Sequence, residues 1–132
     1  MAPGTEVLFG VNIAVTDGKI EFISKKVPQE LPQTIIDGTG MVAMPGLINC
    51  HTHLATSVLR CYTDDLSNRQ ALEELLKKES KMDSRGAKAA ALLSIAECLR
   101  FGVTSVSDLY YYPDATAKAV AESGIPSKEL PH

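Results

Sequence analysis

Met44-Pro45-Gly46-Leu47-Ile48-Asn49-Cys50-His51-Thr52-His53-Leu54 is a short apolar run that opens on a chain-breaking Pro-Gly pair and closes on two histidines one residue apart. Read as a strand over 47–54, its side chains alternate faces, so His51 and His53 project to the same side about two strand rises apart. Two neutral imidazoles on one face can grip a single zinc, iron or nickel ion, and a strand holds them with little entropy lost on binding. Cys50 and Thr52 fall on the opposite face. A bare His-x-His also suits surface or satisfied core histidines, so its surroundings decide what it means.

Upstream, Val7, Phe9, Val11, Ile13 and Val15 alternate with Leu8, Gly10, Asn12 and Ala14, the period of a strand with one strongly apolar face. Asp17-Gly18 tolerates the positive φ of a tight hairpin, and Lys19 to Ser24 reads as the returning strand. Pro28 and Pro32 mark a loop. Gln33 to Ile36 and Met41 to Met44 read as two further short strands around a turn at Asp37 to Gly40. Residues 1–44 are thus expected to form a small antiparallel β unit without chemistry of its own.

Downstream, residues 55–68 are mixed and polar, as expected of a long loop after a barrel strand. Asp64-Asp65 could pass for a catalytic pair, but adjacent side chains diverge, which favours a turn or a loop anchor; Arg60 is its candidate ion-pair partner. Leu72, Leu75 and Leu76 at helical spacing predict an amphipathic helix over 69–81, with Glu73 and Lys77 four apart on its surface. Asp83 or Ser84 suits an N-cap, and Ala87, Ala91, Ile95, Cys98 and Leu99 then form an apolar stripe that stops at Gly102. Val103 to Tyr111 alternates with β-branched residues and reads as a second barrel strand, with Asp108 near its C-terminal end. Pro113 suits the first turn of a third helix, with Ala117, Val120 and Ala121 apolar and Gly124 as its stop. Strand, helix, strand, helix in this order predicts parallel βα units.

The chain has 132 residues, 45% hydrophobic and 22% charged, the usage of an ordinary globular protein with one modest core. A net charge of -3 with no basic patch gives no reason to expect nucleic acid or an anionic membrane as partner. Cys50, Cys61 and Cys98 are odd in number and irregularly spaced, which argues for free thiols in a reducing compartment. No basic and apolar leader opens the sequence, and no apolar run approaches the roughly 20 residues of a membrane span, so a cytoplasmic location is expected.

Ile36-Asp37-Gly38-Thr39-Gly40, then Val42-Ala43-Met44-Pro45-Gly46-Leu47-Ile48-Asn49, then His51-Thr52-His53-Leu54 resembles the start of the barrel in the metal-dependent amidohydrolase superfamily. Leu59-Arg60-Cys61-Tyr62-Thr63-Asp64-Asp65-Leu66 is similar to the branch of methylthioadenosine and S-adenosylhomocysteine deaminases and triazine chlorohydrolases. The similarity continues through Leu92 to Ser105 and Asp108-Leu109-Tyr110 as far as Gly124-Ile125.

This resemblance implies an α/β fold: the N-terminal part of a (β/α)8 TIM barrel preceded by the small β unit. The expected organisation is 1–44 as the small β segment, 45–125 as the first βα units, and 126–132 as a divergent, disordered tail. A complete barrel needs about 250 residues, so the chain is expected to be a truncated form.

The resemblance also implies one divalent metal, zinc with iron as the alternative, bound by His51 and His53 together with ligands from later strands. In such enzymes metal-activated water attacks a ring carbon bearing an amine or chloride, releasing ammonia or chloride. The implied substrates are purine nucleoside derivatives or related N-heterocycles, small molecules attacked at C–N rather than peptide bonds. By position Glu79 matches a glutamate that contacts ribose hydroxyls in the nucleoside deaminases; a solvated carboxylate at a helix end is the alternative. The Trp-Leu pair common in that branch reads Ala71-Leu72 here, which leaves substrate identity open. Asp108 is expected to support the site from behind or to serve the fold.

No catalytic set is complete in this chain, because the only remaining histidine is His132. Metal is therefore expected to be weakly held or absent, and the chain silent by itself. Two alternatives stay open: a non-catalytic remnant or association module, whose exposed sheet edges would invite a homo-oligomer, and another hydrolase of the superfamily such as a chlorohydrolase, guanine deaminase or dihydropyrimidinase.

Overall fold

The computed structural model describes residues 6–28 and 32–129 and divides into two compact units between Val42 and Ala43. In the first, β1 (Asn12–Thr16) and β2 (Lys19–Ser24) pair antiparallel, with a bulge between Ala14 and Val15. Asp17 and Gly18 make the hairpin turn at φ 50° and 72°, as their tolerance of the left-handed region predicts. The strand expected from Val7 onward starts only at Asn12, and no strand forms at Gln33 to Ile36 or Met41 to Met44. A strand needs a hydrogen-bonding neighbour as well as alternation, and among the described residues these stretches have none. The turn between them is present: Thr39 N donates to Asp37 Oδ1 at 2.9 Å and Met41 N to the Gly38 carbonyl.

The second unit is built around a three-stranded parallel sheet in the order β3 (Leu47–Thr52), β4 (Val103–Asp108), β5 (Ser127–Glu129). A 3₁₀ helix, Leu54–Leu59, follows β3 directly, where a polar loop is expected from sequence. It forms because Leu54 and Ala55 are buried against the long helix, while Ser94 Oγ donates to the Leu54 carbonyl and Ser57 Oγ to that of Ala90.

Helices α1 (Asn68–Glu79) and α2 (Ser84–Arg100) come next, and α3 (Pro113–Ser123) joins β4 to β5. Asp83 caps α2 by accepting from Gly86 N at 2.6 Å, and Gly102, at φ 80°, ends it. Leu54, Ala91, Ile95, Val106, Ala119 and Ile125 form the core between α2, α3 and the sheet. A smaller cluster of Ala55, Ala87 and Ala115 packs with Met82 and Tyr112.

Two further features correct the sequence expectations. Helix α3 buries Ala115, Thr116 and Ala119 and leaves Ala121 exposed. Small alanines on every side of this helix hide which face is the core face. Residues 127–129, expected within a disordered tail, instead add β5 alongside β4, and Val106 N donates to the Pro126 carbonyl at 3.1 Å. Backbone pairing satisfies the open edge of β4 whatever the polarity of the added residues. His132 lies outside the described residues. No helix among them is long and apolar enough to cross a membrane.

Candidate metal centre

The histidines lie where β3 gives way to the 3₁₀ helix. His51 is in the strand; His53 is just past its end, at φ -127° and ψ 75°. Their Nε2 atoms are 3.3 Å apart, with the rings edge to face at 4.9 Å between centroids. His53 Nδ1 lies 2.8 Å from the Leu109 carbonyl, which can only accept, so Nδ1 carries the proton and Nε2 keeps its lone pair. His51 is set from behind by its backbone N–H, which donates to Asn49 Oδ1 at 3.2 Å.

This arrangement suits a metal. Two imidazole nitrogens on a tetrahedral zinc, each at about 2.0–2.1 Å, lie roughly 3.3–3.4 Å apart. The carbonyl behind His53 also fixes tautomer and ring orientation in the way that metal-bound histidines usually require. Without an ion, the same separation lets His51 Nε2 donate to His53 Nε2. Among the described residues no group of three or more His, Cys, Asp or Glu side chains converges on one point.

The end of β4 closes the site on one side. Leu109 N donates to the Thr52 carbonyl at 3.3 Å, and Asp108 Oδ1 accepts from Leu54 N at 2.8 Å, so the buried Asp108 holds the turn that carries His53. The Tyr110 ring lies 4.5 Å from that of His53, and Tyr111 packs edge-on behind it at 5.0 Å. Tyr110 donates its hydroxyl hydrogen to Glu79 Oε2 at 2.5 Å. Burial first, and then the hydrogen bond and charge of Glu79, push the Tyr110 phenol well above its ordinary value, which keeps it a donor.

Glu79 is only 6% exposed, so the solvated helix-end reading does not hold. Tyr112 donates to the Met82 carbonyl at 2.5 Å and sits at φ 66°, unusual for a large side chain, just before Pro113. A shallow depression lined by Tyr62, Asp65, Leu66, Gln70, Glu73 and Glu74 lies along α1, away from the histidines.

Sequence reasoning placed His51, His53, Glu79 and Asp108 in one region but missed the Leu109 carbonyl and Tyr110. A carbonyl leaves no mark in a sequence. Tyr110 could have been suspected from its position two residues beyond Asp108.

The sequence profile of the Amidohydrolase family matches residues 42–127. The chain belongs to the amidohydrolase family. Among curated relatives of this amidohydrolase chain, the 5'-deoxyadenosine deaminase of Methanosarcina barkeri is 40% identical over 126 residues, 95% of this chain and 29% of the relative. The 5-methylthioadenosine/S-adenosylhomocysteine deaminase of Dictyoglomus thermophilum is 43% identical over 107 residues, 80% of this chain and 25% of the relative.

A crystal structure of a mutant of the atrazine chlorohydrolase TrzN from Arthrobacter aurescens TC1, complexed with zinc and atraton, superposes with a TM-score of 0.77 at 28% identity. It covers 92% of this amidohydrolase and 30% of that chain. An adenosine deaminase from Xanthomonas campestris with bound zinc gives 0.73 at 27% identity, over 95% and 30%. Both are amidohydrolase barrels, so β3 to β5 and their helices are the opening βα units of that architecture. The amidohydrolase chain spans under a third of the length of these relatives.

Proposed function

We propose that His51 and His53 are the first two ligands of a divalent metal, zinc by preference, in a site for hydrolytic deamination of an adenosine derivative or a related N-heterocycle. The observation that carries this is the 3.3 Å separation of the two Nε2 atoms, with the His53 ring locked by the Leu109 carbonyl. The names of the relatives, deaminases of 5'-deoxyadenosine and of methylthioadenosine and S-adenosylhomocysteine, support the substrate class. The zinc in the solved neighbours supports the metal.

Zinc held by His51 and His53 would supply hydroxide near neutral pH, since such an ion lowers the pKa of bound water to about 7. The chain's own residues hold and aim. His51 and His53 present lone pairs to one point, Asp108 fixes the turn between them and the 3₁₀ helix, and Glu79 is assigned to the hydroxyls of a ribose. Residues 1–44 are assigned to the small β segment, and the opening βα units, expected over 45–125, are assigned through β5 to residue 129.

Zinc uptake by the purified chain tests the ligands. The wild type, with two of the usual four ligands, is expected to take up zinc weakly, and His51→Ala and His53→Ala each to lower that affinity by at least about tenfold; equal uptake by all three would defeat the assignment. Deamination is tested in a chimera in which residues 42–129 replace the matching segment of the Methanosarcina barkeri deaminase. Ammonia release from 5'-deoxyadenosine, abolished by His51→Ala in the same chimera, is the expected result. A folded, zinc-loaded chimera without turnover would refute the substrate class.

A second reading has its own observation. Strand β3 is an edge strand of the described sheet, with Leu47 and Ile48 50% and 67% exposed, the kind of open edge that invites association. A defined oligomer that takes up no zinc would favour an association role.

A further inference from the structure

Helix α1 is held in an unusual way. Of the leucines that the sequence marks as its apolar stripe, Leu72 and Leu76 stay out, 58% and 44% exposed, and Leu75 is half-buried. What α1 buries is its last residue, the acidic Glu79. Its ion pairs, Arg69 with Glu73 and Lys77 with Glu74, are internal to the helix, and Lys78 sits above the ring of Tyr62 in the turn that precedes it.

A carboxylate taken out of water needs strong hydrogen-bond partners, because an unpaired one is among the costliest groups to bury. Glu79 receives the Tyr110 hydroxyl, from a residue 31 positions along the chain. The same tyrosine lays its ring against His53, whose far nitrogen is tied to the carbonyl of Leu109, next to Tyr110. Two residues on, Tyr112 repeats the device, with its hydroxyl on the Met82 carbonyl three residues past Glu79.

We propose that Tyr110 is a positioning residue: its hydroxyl latches the C-terminal end of α1 to the end of β4 through Glu79, while its ring backs the His53 imidazole. One side chain thus sets the distance between the buried carboxylate and the histidine pair. The latch stands on geometry that needs no metal, whereas the role of the ring rests on the metal reading proposed above.

Amide exchange and zinc titration of the full chain separate the two roles. Tyr110→Phe keeps the ring and removes the hydroxyl. Exchange of the amides of residues 68–79 is expected to quicken by about tenfold, the scale for loss of a hydrogen bond to a charged group, with α2 unchanged. Glu79→Ala should do the same, and the double variant should add nothing further, since both changes break one bond. Glu79→Gln, which retains an acceptor oxygen, should restore most of the protection. Unchanged exchange in Tyr110→Phe, or fully additive effects in the double variant, would overturn the latch.

In the zinc titration, Tyr110→Phe should bind within about twofold of wild type, while Tyr110→Leu should weaken binding by about tenfold, as for other groups packed behind a ligand. Equal weakening in both, or none in either, would overturn the role of the ring. If the wild type bound no zinc, the metal reading and the role of the ring would fall together, and the exchange data would still decide the latch.

Discussion

Around Tyr110 a phenol, an imidazole and a carboxylate meet from three separate segments, and this meeting is the least legible part of the site. His51 and His53 announce themselves, because a two-residue period on a strand places both on one side. Glu79 has no such pattern. Its isolated position at a helix end reads equally as a solvated charge, and only the fold, which brings Tyr110 to it, shows that it is buried. Gly46 is a case where the sequence named the right residue for part of the reason. The Pro45-Gly46 pair marks the break before β3, but a Cβ on Gly46 would also lie 2.7 Å from Thr104 Cβ on the neighbouring strand. Gly46→Ala is therefore expected to destabilise the protein by about 1–3 kcal/mol, the usual cost of overpacking. Thermal unfolding measures this, and adding Thr104→Gly should recover most of the loss; a silent Gly46→Ala would mean the two strands part freely.

At the scale of elements, legibility followed the strength of local signals. Helix α2 has a capping aspartate, a small-residue stripe and a glycine stop, and it runs as these predict. The 3₁₀ helix after β3 has six residues and no period to read, and β5 is three residues held by backbone pairing. Helix α1 was legible as a helix, but its surface pairs differ from those expected: Glu73 meets Arg69, and Lys77 meets Glu74.

Arg60, a candidate partner for Asp64-Asp65, instead grips Glu97 on α2 through two contacts of 2.8 and 2.5 Å. It ties the end of the 3₁₀ helix to α2. The Arg60 guanidinium, by hydrogen bond and by charge, holds the Glu97 carboxyl below its ordinary value. A carboxyl lowered in the folded state contributes stability above its unfolded value, about 4.3, and loses that contribution as pH falls through the folded value. The urea midpoint of wild type should thus exceed that of Arg60→Gln near neutrality by a small margin, since both groups are exposed. The margin should shrink in salt and vanish in acid; one that persists after Glu97 is protonated would assign it to packing by the arginine stem.

At the scale of the whole molecule, the order of strands and helices was enough to predict parallel βα units, because that alternation has few other ways to bury its apolar faces. The sequence could not show how far pairing extends. The short apolar segment Met41 to Met44 beside the turn at Asp37 to Gly40 suggested a strand where none forms, and polarity at Ser127 to Glu129 suggested a tail where a strand adds to the sheet. Both errors have one source: strands are defined by neighbours, and neighbours are distant in sequence.

The clustering of aromatic rings beside the histidines has a practical side. The chain has four tyrosines and no tryptophan, and three of the four follow β4 in a row, the first with its ring 4.5 Å from that of His53. Phenol emission from this protein is therefore uncrowded by indole, and an open-shell ion such as cobalt(II) or copper(II) seated on the imidazoles would dim it by short-range quenching. Occupancy can then be followed in unlabelled protein simply as brightness.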